Sequence, residues 1–188
     1  MTYRFEKLIK PCFAIAIGTA ALFSVTTGTF AATNGTLGAT STGTSTVSLS
    51  IGQRYQITGV ADLAFGSYSG TGDMLANDDV CIYTNGVTSA YKVRVLDNSS
   101  MSATGFSVQN TGATAQIPYT VKWNNVAGVT GNAAVAYNVP TAKTGANTTS
   151  VTCNGTNNAN VQVVMMQADL QAAPAGSYST TLSITIEP

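Results

Sequence analysis

The chain has 188 residues, 44% hydrophobic and 9% charged, with no histidine and zero formal net charge. Without histidine, the usual Ser–His and Cys–His nucleophile pairs are excluded. With no run of Lys or Arg beyond residue 31, there is no basic field to draw nucleic acid.

The first 31 residues read as a secretory signal. Arg4, Lys7 and Lys10 give a basic start, an apolar run extends from Cys12 to Val25, and Thr29 and Ala31 are the small residues before a cut. Cleavage is expected after Ala31. The run is too short and wrongly flanked for a good membrane span, although an uncleaved anchor remains the alternative. Beyond it lie five basic residues, Arg54, Lys92, Arg94, Lys122 and Lys143, and seven acidic ones. The remainder is one domain's worth of chain.

Residues 32–45, "ATNGTLGATSTGTS", carry a single large apolar side chain, Leu37. This stretch is expected to be extended or mobile rather than core-forming. It runs into "TVSLSI", where Val47, Leu49 and Ile51 alternate with polar residues. Traced back through Ala39 to Leu37, the odd positions form one face of a long strand candidate ending at Gly52. Residues 32–52 are therefore set apart as an extension and 53–188 as the domain.

Short strand-like runs follow. "RYQITGV" places Tyr55 and Ile57 on one face, and "ADLAFGSY" alternates through Leu63 and Phe65. "SGTGDMLANDD" reads as a loop. "VCIYT" ends at the turn dipeptide Asn85-Gly86, and "AYKVRVLD" points Tyr91, Val93 and Val95 inward. "GFSVQN" precedes a turn. "IPYTVKW" sets Ile117, Tyr119, Val121 and Trp123 on one face. "VAYNV" and "SVTC" are weaker candidates. "VQVVMM" is apolar on both faces, as in a central strand. "MQADLQAA" allows one helical turn before Pro174. A last run places Tyr178, Thr180, Leu182, Ile184 and Ile186 on one face, two residues from the end of the sequence.

Many short strands with Gly and Asn at the turns indicate an all-β, antiparallel sandwich. A closed barrel is the alternative. Cys81 and Cys153 are an even pair in an exported chain and are expected to form a disulfide.

Chemistry is sparse. The carboxylates fall mostly in expected turns, where Asp and Asn are favoured for local hydrogen bonding. "DMLANDD" offers oxygen atoms but lacks the spacing and glycine of a calcium loop. No metal, cofactor or catalytic residue is expected. Asn34, Asn98, Asn147 and Asn154 begin Asn-x-Ser/Thr triplets of the kind chance supplies in an Asn- and Thr-rich chain. Tyr83, Tyr91, Tyr119, Trp123 and Tyr137 could stack on sugars, but most lie on the apolar phase of a strand and read as core.

Three segments in order, "STVSLSI", "ADLAFGSY" followed by "VCIYTN", and "CNG…APAGSYSTTLSITIEP", resemble bacterial pilus subunits of the chaperone–usher route. The likeness is to the archaic branch and to spore-coat-U-like domains. One departure is the lack of a cysteine at Gly52-Gln53-Arg54. The resemblance implies an incomplete immunoglobulin-like sandwich with an N-terminal donor strand. The subunit would be exported through the periplasm to a surface fibre that serves adhesion or biofilm formation. Its partners would be a periplasmic chaperone, an outer-membrane usher and further copies of itself, joined by strand addition. On that reading Val47, Leu49 and Ile51, helped by Leu37 and Ala39, are donated to a groove lined by Leu182, Ile184 and Ile186. Whether "TVSLSI" acts in its own chain or in another is open. A self-sufficient secreted module that binds a glycan or host protein is the competing function.

Overall fold

The computed structural model describes residues 31–100, 104–129 and 132–188. The signal-sequence reading covers residues 1–31, and all of these but Ala31 lie outside the described residues. By contacts the chain divides into two compact units, with the boundary between Ser50 and Ile51.

In the leading unit, the described residues are exposed throughout. Thr33 and Thr44 exchange main-chain hydrogen bonds of 3.0 and 2.9 Å, and the chain bends over residues 37–40. The long strand expected from Leu37 is therefore not formed. Gly35, Gly38 and Gly43 leave too little side chain to hold a one-faced strand, and the segment doubles back instead. Residues 45–54 belong to no sheet.

The second unit is built of short antiparallel strands in two layers. One layer is a five-stranded sheet in the order β1-β2-β9-β6-β7. Its strands are β1 (Tyr55–Thr58), β2 (Met74–Thr84), β6 (Thr120–Asn124), β7 (Ala133–Ala134) and β9 (Ala159–Met165). The facing layer holds two three-stranded sheets, β10-β4-β5 and β11-β3-β8. These comprise β3 (Tyr91–Asp97), β4 (Ser107–Asn110), β5 (Gln116–Pro118), β8 (Thr141–Lys143), β10 (Tyr178–Ser179) and β11 (Leu182–Glu187). A short helix, α1 (Gln167–Ala172), joins β9 to β10.

The core lies between the layers. Val80, Ile82, Val121, Trp123, Val161 and Val163 come from one side, and Val93, Val95, Val108 and Ile117 from the other. Every residue of β9 is buried, as its two-faced apolarity indicates for a central strand. Tyr91, Tyr119 and Trp123 are core residues too. The Tyr91 hydroxyl accepts from Trp123 Nε1 at 3.1 Å. Burial pushes its pKa up to about 12. This is the all-β, immunoglobulin-like sandwich.

Four local expectations change. "IPYTVKW" is two strands in different layers, because the chain crosses between them at Tyr119. The last run likewise divides at Thr180–Thr181. There Asn98 Oδ1 accepts from Thr181 N (2.8 Å) and Thr180 Oγ1 (3.1 Å), so Tyr178–Ser179 pairs with β4 and Leu182–Glu187 with β3. "DMLANDD" is the first half of β2 rather than a loop. Its acids are satisfied in place: Asp79 Oδ1 accepts from Gly128 N and Asn160 Nδ2, both at 2.7 Å. "SVTC" forms a turn and one 3-10 turn, Cys153–Gly155, not a strand. Cys81 and Cys153 are bonded, with Cα atoms 5.8 Å apart.

Candidate functional site

β11 is the edge of its sheet. It pairs with β3 from Leu182 opposite Asp97 to Glu187 opposite Lys92, and among the described residues its other side pairs with no strand. An edge strand presents a row of main-chain donors and acceptors. Its inward side chains, Leu182, Ile184 and Ile186, are partly buried and pack on the core.

Beside this edge an open groove of about 910 Å³ reaches into the core. Its floor is Val161, Val163 and Met165 of β9, with Val108, Ile117 and Tyr119 from the facing layer. One rim is β11, through Leu182 and Ile184. The other is the segment from Val60 to Tyr68. Leu170 and the chain from Ala173 to Thr181 close one end.

The second rim is the "ADLAFGSY" segment, expected as a strand and found outside every sheet. Gly59 and Gly66 adopt φ of 82° and 73°. These left-handed positions break the extended run at both ends. Leu63 and Phe65 still pack on the core, so the alternation was legible although the pairing is missing. Ala61 N donates to Asp78 Oδ2 at 2.7 Å, one of the contacts that pins this rim. The Tyr68 hydroxyl is buried here and has no partner among the described residues. A buried hydroxyl without a partner carries a desolvation cost that an added polar group would relieve.

Of the expected groove residues, Leu182 and Ile184 line it, while Ile186 packs on the core without lining it. The sequence reading did not identify the floor residues or Leu170 as groove residues, because an apolar side chain at a sheet interface reads as core whether or not a strand covers it. The expected donor residues are exposed: Leu37 106%, Val47 94%, Leu49 85% and Ile51 70%. Ala39 is exposed as well.

The groove offers largely apolar walls and a main-chain edge, with Asp62 and Asp78 on its lining. Among the described residues no cluster of His, Cys, Asp or Glu is placed to hold a metal ion. The Tyr119 hydroxyl at its base donates to Asp97 Oδ2 at 2.8 Å. Burial, and then that carboxylate, raise the Tyr119 pKa well above the ordinary phenol value.

No family model and no curated protein match the chain. Among solved structures it is similar to a chain from a chaperone–tip adhesin complex of CFA/I fimbriae biogenesis. The TM-score is 0.52 with 21% identity, covering 71% of this chain and 41% of the other. A second is CfaE, the adhesive subunit of CFA/I fimbria of enterotoxigenic Escherichia coli, with a TM-score of 0.43, 17% identity, and coverage of 64% and 37%. The chain thus spans about two fifths of the length of these structures. At this identity the first likeness concerns the fold.

Proposed function

We propose that the chain is a structural, non-catalytic subunit of an exported surface fibre of the pilus or fimbria kind. In this reading copies join by donating residues 47–51 of one to the groove of the next. The observation that carries it is the groove itself. A sandwich core is open along the free edge of β11, with Leu182 and Ile184 on the rim.

A strand laid there would hydrogen-bond to β11 and bury every second side chain. Val47, Leu49 and Ile51 have that spacing and are exposed. Burying three such side chains stabilises the junction by about 5 kcal/mol or more, at roughly 1.5–3 kcal/mol each. Donation from one copy to the next is head to tail, which gives an open fibre rather than a closed ring. An uncovered apolar edge is also an aggregation hazard. A periplasmic chaperone that occupies the groove before assembly, and an outer-membrane usher that hands subunits on, belong to the same reading. The likeness to a chain from a chaperone–tip adhesin complex supports it at the level of fold.

The test is deletion of residues 32–51 from the mature chain. The full mature chain should form fibres that survive mild denaturant as ladders. The truncated chain should form none, yet should still bind a synthetic peptide spanning residues 44–52. Fibres from the truncated chain would rule out the donor assignment. A stable monomer of the full chain that binds a glycan or host protein would favour the self-sufficient binding module instead.

A further inference from the structure

The charges of the second unit are unevenly distributed along the direction of β2. β2 is 11 residues long, so its ends lie about 30 Å apart. At the Thr84 end, Tyr55 stands opposite Thr84 and Tyr91 opposite Lys143. A pocket of about 480 Å³ gathers Gln53, Tyr55, Tyr91, Lys92 and Lys143 at that end. Arg54 is beside it, its amide donating to Asn85 Oδ1 at 2.6 Å. Partial burial lowers the Lys143 pKa, as expected for an ammonium short of water. Arg94, further along β3, is paired with Glu187, whose place opposite Lys92 puts one carboxylate at this end as well. Three of the five basic residues beyond residue 31 are therefore collected at one end.

The Met74 end is acidic. Asp73 Oδ1 accepts from Gln167 N at 2.8 Å, Asp169 lies in the first turn of α1, and Asp62 is on the groove rim. Asp97, opposite Leu182, belongs to the same end.

We propose that the basic end of one copy docks on the acidic end of the next, Arg54, Lys92 and Lys143 facing Asp62, Asp73 and Asp169. This rests on the strand-donation reading and adds to it a second, charged interface that meets the groove only at Asp62 on its rim. Gln53 is two residues past Ile51, a span of at most about 7 Å. A donated strand that runs antiparallel to β11 brings Ile51 out at the Leu182 end of the neighbour, beside those acids. A strand running the other way would bring the basic end to the neighbour's Lys92 and Lys143. Arg54 would then approach Lys92 and Lys143, while the carboxylate at that end, Glu187, is already paired with Arg94. Opposed charges across a junction mainly raise the rate and fidelity of association, and salt weakens them.

The experiment follows fibre growth of the full mature chain by light scattering at 20 and 500 mM NaCl. Wild-type growth should slow about tenfold at the higher salt. An Arg54→Glu/Lys143→Glu variant and an Asp62→Lys/Asp169→Lys variant should each grow slowly alone at low salt. Mixed in equal amounts they should recover the wild-type rate, because every junction of an alternating fibre pairs opposite charges. Unchanged Tm in both variants shows that they fold. The inference is overturned if wild-type growth ignores salt and the variants grow normally alone. If the wild type forms no fibre at all, the strand-donation reading fails first and takes this one with it.

Discussion

Leu182, the first residue of β11, stands directly opposite the buried carboxylate of Asp97 on β3. That carboxylate gathers donors from three parts of the chain: Ser107 N and Tyr119 Oη at 2.8 Å, and Ser99 N at 3.3 Å. Asp97 thus ties β3, β4 and the crossing residue Tyr119 together at the rung where the groove rim starts. Replacing it by Ala strands buried donors, each costing about 1–3 kcal/mol. Asp97→Ala should cost about 3 kcal/mol and lower Tm by about 10 °C. Tyr119→Phe should cost about 1 kcal/mol, because the acceptor keeps its main-chain donors. Thermal unfolding followed by circular dichroism reads both. Equal losses in the two variants would mean that Asp97 matters only through Tyr119.

The disulfide joins β2 to the turn that precedes β9, closing a loop of sequence separation 72. A cross-link over such a loop removes unfolded-state entropy worth about 4 kcal/mol in the chain-entropy model. Cys81 and Cys153 are both buried, so reduction should require opening of that region. The Cys81→Ser/Cys153→Ser chain should lose about 4 kcal/mol in urea unfolding, read as a lower midpoint at an unchanged slope. A loss under 1 kcal/mol would show that the turn at Cys153 is held by its hydrogen bonds alone.

The sandwich was legible because its core strands alternate. Tyr91, Val93 and Val95 in "AYKVRVLD" and the two-faced "VQVVMM" take the burial that their pattern dictates. The crossings were not legible. Ile117, Tyr119, Val121 and Trp123 are all buried, yet a change of layer at Tyr119 keeps the same period and leaves no mark in the letters. The first half of β2 was hidden by composition: Asn77, Asp78 and Asp79 carry turn chemistry, and it takes the pairing with β9 and the contacts of Asp79 to residues 49 and 81 positions away to show why they sit in a strand. Half of the groove was visible as the face of β11. The other half depends on which core side chains lack a cover, which is a property of the assembled layers.

Tyr91 gives a pH dependence of definite sign. Its folded pKa of about 12 lies above the ordinary value of 10.0. The protonated phenol is thus favoured by folding. That stability is complete below pH 10 and is lost as pH rises from 10 towards 12. The difference between about 12 and 10.0 corresponds to roughly 3 kcal/mol. Urea midpoints should hold level to about pH 9.5 and then fall. Tyr91→Phe should flatten part of that fall, while losing the acceptor for Trp123 Nε1 at every pH. An unaltered alkaline limb in Tyr91→Phe would assign it to other groups.

The donor face can be separated from the donor segment by three single substitutions. Leu49 is 85% exposed, so Leu49→Asp should leave monomer stability within about 0.5 kcal/mol. In a seated strand residue 49 would point into the apolar groove, where a carboxylate without a partner costs several kcal/mol. Leu49→Asp should therefore abolish fibre growth. Ser48 has the opposite phase and would point away from the groove, so Ser48→Asp should keep growth within about threefold of wild type. Ile184→Asp, on the acceptor rim and already packed on the core, should both destabilise the monomer and block growth. Only this pattern, with 49 sensitive, 48 tolerant and 184 sensitive in both readouts, fits an alternating strand received by β11. Equal growth of Leu49→Asp and Ser48→Asp would show that residues 47–51 are not seated by the face that carries Val47, Leu49 and Ile51.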